Sequence, residues 1–285
     1  MNDDADDLAA LQTFLDRHPR LFVLTGAGCS TPSGIPDYRD GAGQWKRKPP
    51  VRHQEFLASP EVRARYWARS MIGWTHMNSA QPNAAHRVLA AFEHAGRIGS
   101  LVTQNVDGLH QKAGSRAVID LHGRIDQVVC LACGSRSRRD RLQQRLVAAN
   151  PHYAAFAGGL APDGDADLER SDFSDFIVPD CETCGVGMLK PDVVFFGANV
   201  PPERVQQSME ALDTSDAMLI VGSSLMVWSG YRFAVRAADR GLPIAALNIG
   251  VTRADPLLSV KVDADCADAL MRLDPGCSNS RSDLP

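Results

Sequence analysis

The chain has 285 residues, 44% of them hydrophobic and 22% charged, which is enough for a full core in one large domain with a smaller one attached. A net charge of -4 leaves no basic footprint for nucleic acid, and no apolar run approaches the roughly 20 residues that cross a bilayer, so neither nucleic-acid nor membrane partners are expected. Seven cysteines, an acidic opening from Met1 to Asp7 and the lack of a hydrophobic signal or Arg-rich transit segment point to a reducing, cytoplasmic setting.

Apolar runs at residues 21–25, 99–103, 118–121, 192–196, 217–221 and 244–247, separated by helical stretches, have the pattern of parallel strands covered on both faces. Each run ends in small or polar residues. In order these are Gly26-Ala27-Gly28, Gln104-Asn105-Val106-Asp107, His122-Gly123, Gly197-Ala198-Asn199, Gly222-Ser223-Ser224 and Asn248-Ile249-Gly250. Open parallel sheets bind ligands beyond the carboxyl ends of their strands, so these six exits are expected to line one crevice.

The first exit reads as a phosphate cradle. Gly26 and Gly28 would let backbone N–H groups approach an anion, with Ser30 and Thr31 capping a following helix. A bare tight turn is the plainer alternative. The dinucleotide pattern G-x-G-x-x-G is incomplete: Thr31 holds its sixth position, and Lys46 stands where a ribose-binding acid would fall. An ordinary hydride-transferring dehydrogenase therefore fits poorly. Pro36 and the glycines around Tyr38 and Arg39 mark a long loop of the kind that closes over a phosphate site.

Cys130/Cys133 and Cys181/Cys184 are two Cys-x-x-Cys pairs, and four thiolates form a closed tetrahedral cage for one structural Zn2+ with no position left for water. The polar, turn-rich stretch 158–165 reads as a surface excursion between the two halves of that site. Cys29 is either a nucleophile in the glycine turn or a small packed residue, and Cys266 a wall of a ligand pocket; Cys277 lies in a polar tail. Among the eight histidines, His122 and His110 both follow a strand exit, and His122, before a flexible glycine, is the better general base.

These residues resemble the sirtuins, the NAD-dependent protein-lysine deacylases. The motifs are Gly26-Ala27-Gly28-Cys29-Ser30, Gly34-Ile35-Pro36-Asp37-Tyr38-Arg39, the segment from Thr103 to His110, Leu121-His122-Gly123, the four cysteines, the segment from Lys190 to Gly197, Gly222-Ser223-Ser224-Leu225 and Asn248-Ile249-Gly250. They span the chain from about residue 20 to about residue 266. Tyr66 to Arg69 and Gly230 to Phe233 look like the class II branch.

The resemblance implies an α/β fold: a doubly wound Rossmann-like parallel sheet with a smaller lobe made of a zinc module and a helical insertion. The expected division is 1–45, 91–125 and 191–275 for the NAD-binding domain, 46–90 for the insertion, 126–190 for the zinc module and 276–285 for a disordered tail.

It also implies that NAD is a co-substrate, cleaved to nicotinamide while the acyl group of an acylated lysine passes to ADP-ribose. His122 would be the base, and Asn105 would position the nicotinamide ribose and a water. Asp107 would hold the carboxamide and Gln104 would touch ribose. Arg39 and Ser223, with the turn of Gly26, Ala27, Gly28 and Ser30, would meet the phosphates. Pro36, Asp37 and Tyr38 belong to the loop over the coenzyme, Tyr38 standing where Phe is usual. Gly222 and Ser224 adjoin Ser223, Asn248, Ile249 and Gly250 would hold the adenine-side ribose, and Cys266 would lie near adenine.

The peptide is expected to pair as a short strand between the segment after Phe196, including Gly197, and that around Leu225, with Val194 and Phe196 lining the lysine tunnel. Tyr66 and Arg69, three apart on a predicted helix, would together accept longer or acidic acyl groups. The same glycosidic cleavage supports protein mono-ADP-ribosylation, and a non-catalytic NAD-sensing zinc protein is the remaining alternative.

Overall fold

Leu21 and Val23 face one side of a sheet whose other side takes Phe22 and Leu24, and all four are buried. This strand, β1 (Leu21–Thr25), is the first of the central sheet in a computed structural model that describes residues 3–46, 50–155, 159–160, 166–167 and 172–273. The expected tail, Cys277 and most of the 158–165 excursion lie outside the described residues.

The sheet contains β1, β2 (Ile98–Thr103), β3 (Val118–Asp120), β9 (Ala217–Val221), β10 (Ile244–Leu247) and β11 (Val260–Val262) in the order β11-β10-β9-β1-β2-β3, all parallel. The chain builds outward from β1 to β3, then returns to lay β9 on the other flank of β1. That reversal is the topological switch point of a doubly wound sheet, where a crevice opens beyond the strand ends. Helices α1 (Asp3–Arg17), α4 (Ala84–His94) and α9 (Cys266–Leu273) cover one face, and α7 (Pro202–Asp213) and α8 (Trp228–Asp239) the other. Because both faces are covered, β1 and β9 are apolar at every position but Thr25 and show no alternation in sequence.

The run 192–196 does not join this sheet. Its first residues close β8 (Leu189–Val193), which pairs antiparallel with β4 (Gly123–Cys130), and β4 also pairs with β5 (Arg136–Arg138) in a separate three-stranded sheet. The sixth strand of the main sheet is β11 instead. An apolar run records burial, not the partner that buries it, so the two sheets were indistinguishable at this position.

The small sheet packs with α2 (His53–Ala58), α3 (Pro60–Ser79) and α6 (Arg139–Ala149) around Phe56, Trp67, Val128, Leu146 and Leu189. Ser59 caps α3 by accepting from the Val62 amide at 3.1 Å, and Pro60 occupies the first turn, where its missing N–H costs nothing. The expected end of the insertion at residue 90 falls inside α4, whose Ala85, Val88, Leu89 and Phe92 pack on the main sheet. A short helix α5 (Leu109–Lys112) follows β2, and a two-stranded ribbon, β6 (Gly159–Leu160) with β7 (Ala166–Asp167), adjoins α3. Among the described residues, no helix is long and apolar enough to cross a membrane.

Candidate active site and metal centre

The glycines after β1 bring two strand exits into backbone contact. Gly26 N–H donates to Val221 O at 3.1 Å and Gly28 N–H to Gly222 O at 2.9 Å. A Cβ on Gly222, whose φ is +61°, would sit 2.2 Å from the Cys29 amide nitrogen. The cradle expected from Gly26 and Gly28 is thus corrected: their N–H groups are already committed, and the glycines serve close approach. The capped helix is absent as well. Ala27–Cys29 and Thr31–Ser33 are single 3-10 turns, the second ended by the left-handed Gly34, and Ser30 makes no side-chain capping bond.

Ser30 instead organises the second exit. Its hydroxyl donates to Asp107 Oδ2 at 2.8 Å and accepts from Asn105 Nδ2 at 3.0 Å, while Asn105 also donates to Gly26 O at 2.9 Å. The Leu109 amide holds the other Asp107 oxygen at 2.8 Å. Burial raises the Asp107 carboxyl above its ordinary range, against the opposing pull of these bonds. Gln104 Nε2 reaches Ser223 Oγ at 2.7 Å and ties the exit of β2 to that of β9.

His122 stands where the chain leaves one sheet for the other. Gly123, at φ +83°, makes that turn possible: a Cβ there would lie 2.0 Å from Asp192 O. His122 Nδ1 meets the Gln104 carbonyl at 2.9 Å, and Nε2 meets the Ser229 hydroxyl at 2.9 Å. A carbonyl only accepts, so Nδ1 carries the proton and Nε2 the lone pair. Burial pulls the imidazole down to about 4, so it is a neutral base near pH 7. His110, the rival, is not on the cleft wall; it is buried against the Thr25 hydroxyl, 2.9 Å away.

All six exits contribute to one cavity of about 680 Å3. Its wall includes Gly26, Ala27, Gly28, Ser30, Pro36, Asp37, Tyr38, Arg39, Gln104, Asn105, Asp107, His122, Gly222, Ser223, Ser224, Asn248 and Ile249. Asn248 Nδ2 donates to Ile249 O at 2.8 Å. Gly250 and Cys266 are not on the wall. Gly250, at φ +78°, presses against Gly41 O, and Cys266 is core, with burial pushing its thiol up to about 12. Cys29, fully buried, has its thiol raised by the same cause, which disposes of the nucleophile reading.

Tyr38, Trp45 and Phe196 form an edge-to-face trio with ring centroids 5.5 to 6.1 Å apart, and the Arg39 guanidinium lies 4.2 Å from the Trp45 ring centre. Arg39 also donates to Gly43 O at 2.7 Å, and Lys46 pairs with Asp37 at 2.5 Å. Trp45 and Ser229 were missed in the sequence; nothing local distinguishes a loop tryptophan or a serine opening a helix until the fold brings them to the cleft.

Val193, Val194, Phe195, Phe196 and Tyr66 supply an apolar part of the wall. Gly197 and Leu225 lie on the wall too: Gly197 O accepts from Gln54 Nε2 at 2.8 Å, and Leu225 has a left-handed φ of 54°. Arg69 is not on it. Its Nε donates to Ala166 O at 2.8 Å, whereas Tyr66 packs edge-on to Phe56 and Trp67. The expected Tyr66/Arg69 pair is therefore not formed at the cavity: the two share a helix face, but the Arg69 guanidinium is turned to the Ala166 carbonyl.

The four cysteines form a second centre. Cys130 and Cys184 sulfurs are 3.7 Å apart and those of Cys133 and Cys181 3.8 Å, with all four within 4.8 Å. A tetrahedral zinc with sulfur bonds of about 2.3 Å separates its ligands by about 3.8 Å, so the donor set fits Zn2+, and a disulfide bond at about 2 Å does not. Gly187 leaves the necessary room, since a Cβ there would lie 2.1 Å from Cys130 Sγ. The Ser135 hydroxyl sits 3.2 Å from Cys133 Sγ and 3.3 Å from Cys181 Sγ.

A doubly wound sheet with a nucleotide crevice, a histidine base and a four-cysteine module defines a class, and the sequence profile of the Sir2 family matches residues 26–229. The chain belongs to the Sir2 family. It is 59% identical over 270 residues to an NAD-dependent protein deacetylase of Bordetella bronchiseptica, covering 95% of this chain and 98% of that one. A mitochondrial NAD-dependent protein lipoamidase, sirtuin-4 of Bos taurus, is 48% identical over 275 residues, covering 95% of this chain and 87% of the relative. Among solved structures, a Sir2 with p53 peptide and NAD+ has a TM-score of 0.73 at 28% identity, covering 94% of this chain and 98% of that one. A Sir2 bound to acetylated peptide reaches 0.75 at 27% identity, covering 95% and 98%.

Proposed function

We propose that this chain is an NAD-dependent protein-lysine deacylase that takes the acyl group from a modified lysine. The observation that carries the reading is a neutral imidazole, His122, on the cleft wall, with its Nε2 lone pair held by the hydroxyl of another wall residue, Ser229. NAD, when bound, supplies the activated sugar carbon on which the acyl oxygen is captured. The residues of the chain bind, orient and move a proton. Asn105 and Asp107, fixed by Ser30, orient the nicotinamide end, and Gln104 with Ser223 marks where ribose and phosphate join. Asn248 and Ile249 take the adenine end, Arg39 meets the phosphates, and Tyr38 belongs to the loop over the coenzyme. His122 Nε2 withdraws the proton from a sugar hydroxyl once Ser229 yields its place.

An extended peptide between the segments of Gly197 and Leu225 would direct its acyl-lysine along Val194 and Phe196. The apolar wall and the relative named as a lipoamidase favour neutral acyl chains, acetyl and longer. Zn2+ in the four-cysteine site is structural, and a reducing cytoplasmic compartment keeps those thiols available to it. Mono-ADP-ribosylation and a non-catalytic role are not favoured by any feature of the cleft. Mixing the protein with NAD and an acetyl-lysine peptide tests the reading. Free nicotinamide, unmodified lysine and O-acyl-ADP-ribose should appear together and vanish in His122→Ala; ADP-ribose retained on protein would reject it.

A further inference from the structure

Behind the Ser30 wall, outside the cavity, Cys29, His86 and His110 meet: one donor atom from each lies within 4.8 Å of the other two. All three are buried, with exposures of 0%, 0% and 1%. The hydrogen-bond pattern singles out His110. Thr25 spends its hydroxyl proton on Thr103 Oγ1 at 2.8 Å, so in its 2.9 Å bond with His110 it accepts from Nε2–H. The neutral ring then carries its lone pair on Nδ1, a buried atom with no hydrogen-bond partner. A buried imidazole nitrogen without a donor is an incomplete arrangement, and a ligand completes it. His86 is held loosely, by the Asn83 amide at 3.4 Å and the Ser30 hydroxyl at 3.5 Å.

We propose that Cys29, His110 and His86 form a second, buried metal site, distinct from the four-cysteine centre, that takes the soft monovalent ion copper(I). A thiolate with two imidazoles and no carboxylate suits copper, the thiolate being the soft donor. Charge favours the monovalent ion: copper(I) on one thiolate and neutral imidazoles makes a neutral group, which a dry interior tolerates, whereas a divalent ion leaves a buried net charge. Geometry permits it: metal–ligand bonds of about 2.0 to 2.3 Å place donors up to about 4.3 Å apart, and the three donor atoms lie within 4.8 Å of one another. Binding replaces the thiol proton of Cys29, which leaves to solvent; no electron is transferred. A bound ion also draws His86 from Ser30, the residue that fixes Asp107 and Asn105, and so couples the site to the cleft.

The test is a metal count on the full chain already carrying one zinc. Copper(I) is offered anaerobically as its glutathione complex, and copper and zinc are measured after desalting. The wild type should retain one copper beside its zinc, with a thiolate-to-copper absorption in the near ultraviolet. Cys29→Ala, which leaves a small apolar residue in the core, should retain less than a tenth of that copper and all of its zinc. His110→Gln should lose copper likewise; if it does not fold, Cys29→Ala decides alone. Three outcomes overturn the site: no copper retained by the wild type, equal copper in Cys29→Ala, or copper gained only as zinc is lost, which places it among the other four cysteines. None of these depends on the deacylase reading.

Discussion

His122 Nε2 and the hydroxyl of Ser229 are 2.9 Å apart, so the base holds a protein hydroxyl where a substrate hydroxyl must come. Ser229 lies in the first turn of α8, 107 residues along the chain from the strand exit that carries His122. A hydroxyl donated to the lone pair favours the neutral ring.

The pH profile follows. The acid limb of kcat/KM should fall at about 4 and not at the ordinary 6.5, because burial disfavours the imidazolium. Ser229→Ala removes a donor to the neutral form and should move that limb upward, while His122→Ala should cost about 10^2- to 10^4-fold in rate. Since the unfolded histidine binds its proton at 6.5 and the folded one only at about 4, the associated stability declines as pH falls from 6.5 towards 4. Initial rates and denaturant melts across pH 4 to 8 check both signs, the range being about that of the two values.

Two glycine-to-alanine changes should differ sharply. Gly222→Ala drives a Cβ to 2.2 Å from backbone at a left-handed φ and should destabilise by more than about 2 kcal/mol. Gly34→Ala, at φ +84° with nothing within 4 Å, should cost only about 1 kcal/mol of conformational strain. Urea melts of the two variants would expose any error in this ordering.

Removing zinc should loosen the small lobe. Purified protein should carry one zinc per four-cysteine site. Chelation, or Cys184→Ala, should lower the thermal midpoint by about 10 °C or more, because binding energy at a structural site is folding energy. A melt unchanged by complete zinc removal would contradict the structural role.

Arg69 should not select acidic acyl groups. Its Nε is held by Ala166 O and it is absent from the cavity wall, so Arg69→Ala should leave the ratio of succinyl- to acetyl-peptide turnover within about twofold while lowering stability by about 1 kcal/mol. A selective loss of succinyl turnover would show that the guanidinium reaches the acyl chain.

The parallel strands 21–25, 217–221 and 244–247 were legible residue for residue, because burial on both faces leaves an unbroken apolar run. The zinc ligands were equally plain, since two-residue spacing within each pair is itself the geometry of a thiolate turn. The run at 192–196 was legible as buried but not as belonging to the small sheet, for its partner β4 shows a mixed pattern of exposure and was not read as a strand.

Residue type and spacing thus determined which groups are present: glycines that permit backbone contact, four thiolates, one histidine before a turn, and polar exits from apolar strands. Tertiary structure alone decided what those groups do to each other. Only the packed sheet shows that Gly26 and Gly28 spend their amides on the end of β9 and its exit, that Ser30 binds side chains and not a helix, that Arg69 turns from the cleft, and that His110 keeps a lone pair in the dry interior. The physical reason is that hydrogen bonds and close contacts depend on direction and distances of a few ångströms between segments far apart in the chain, which local chemistry does not encode.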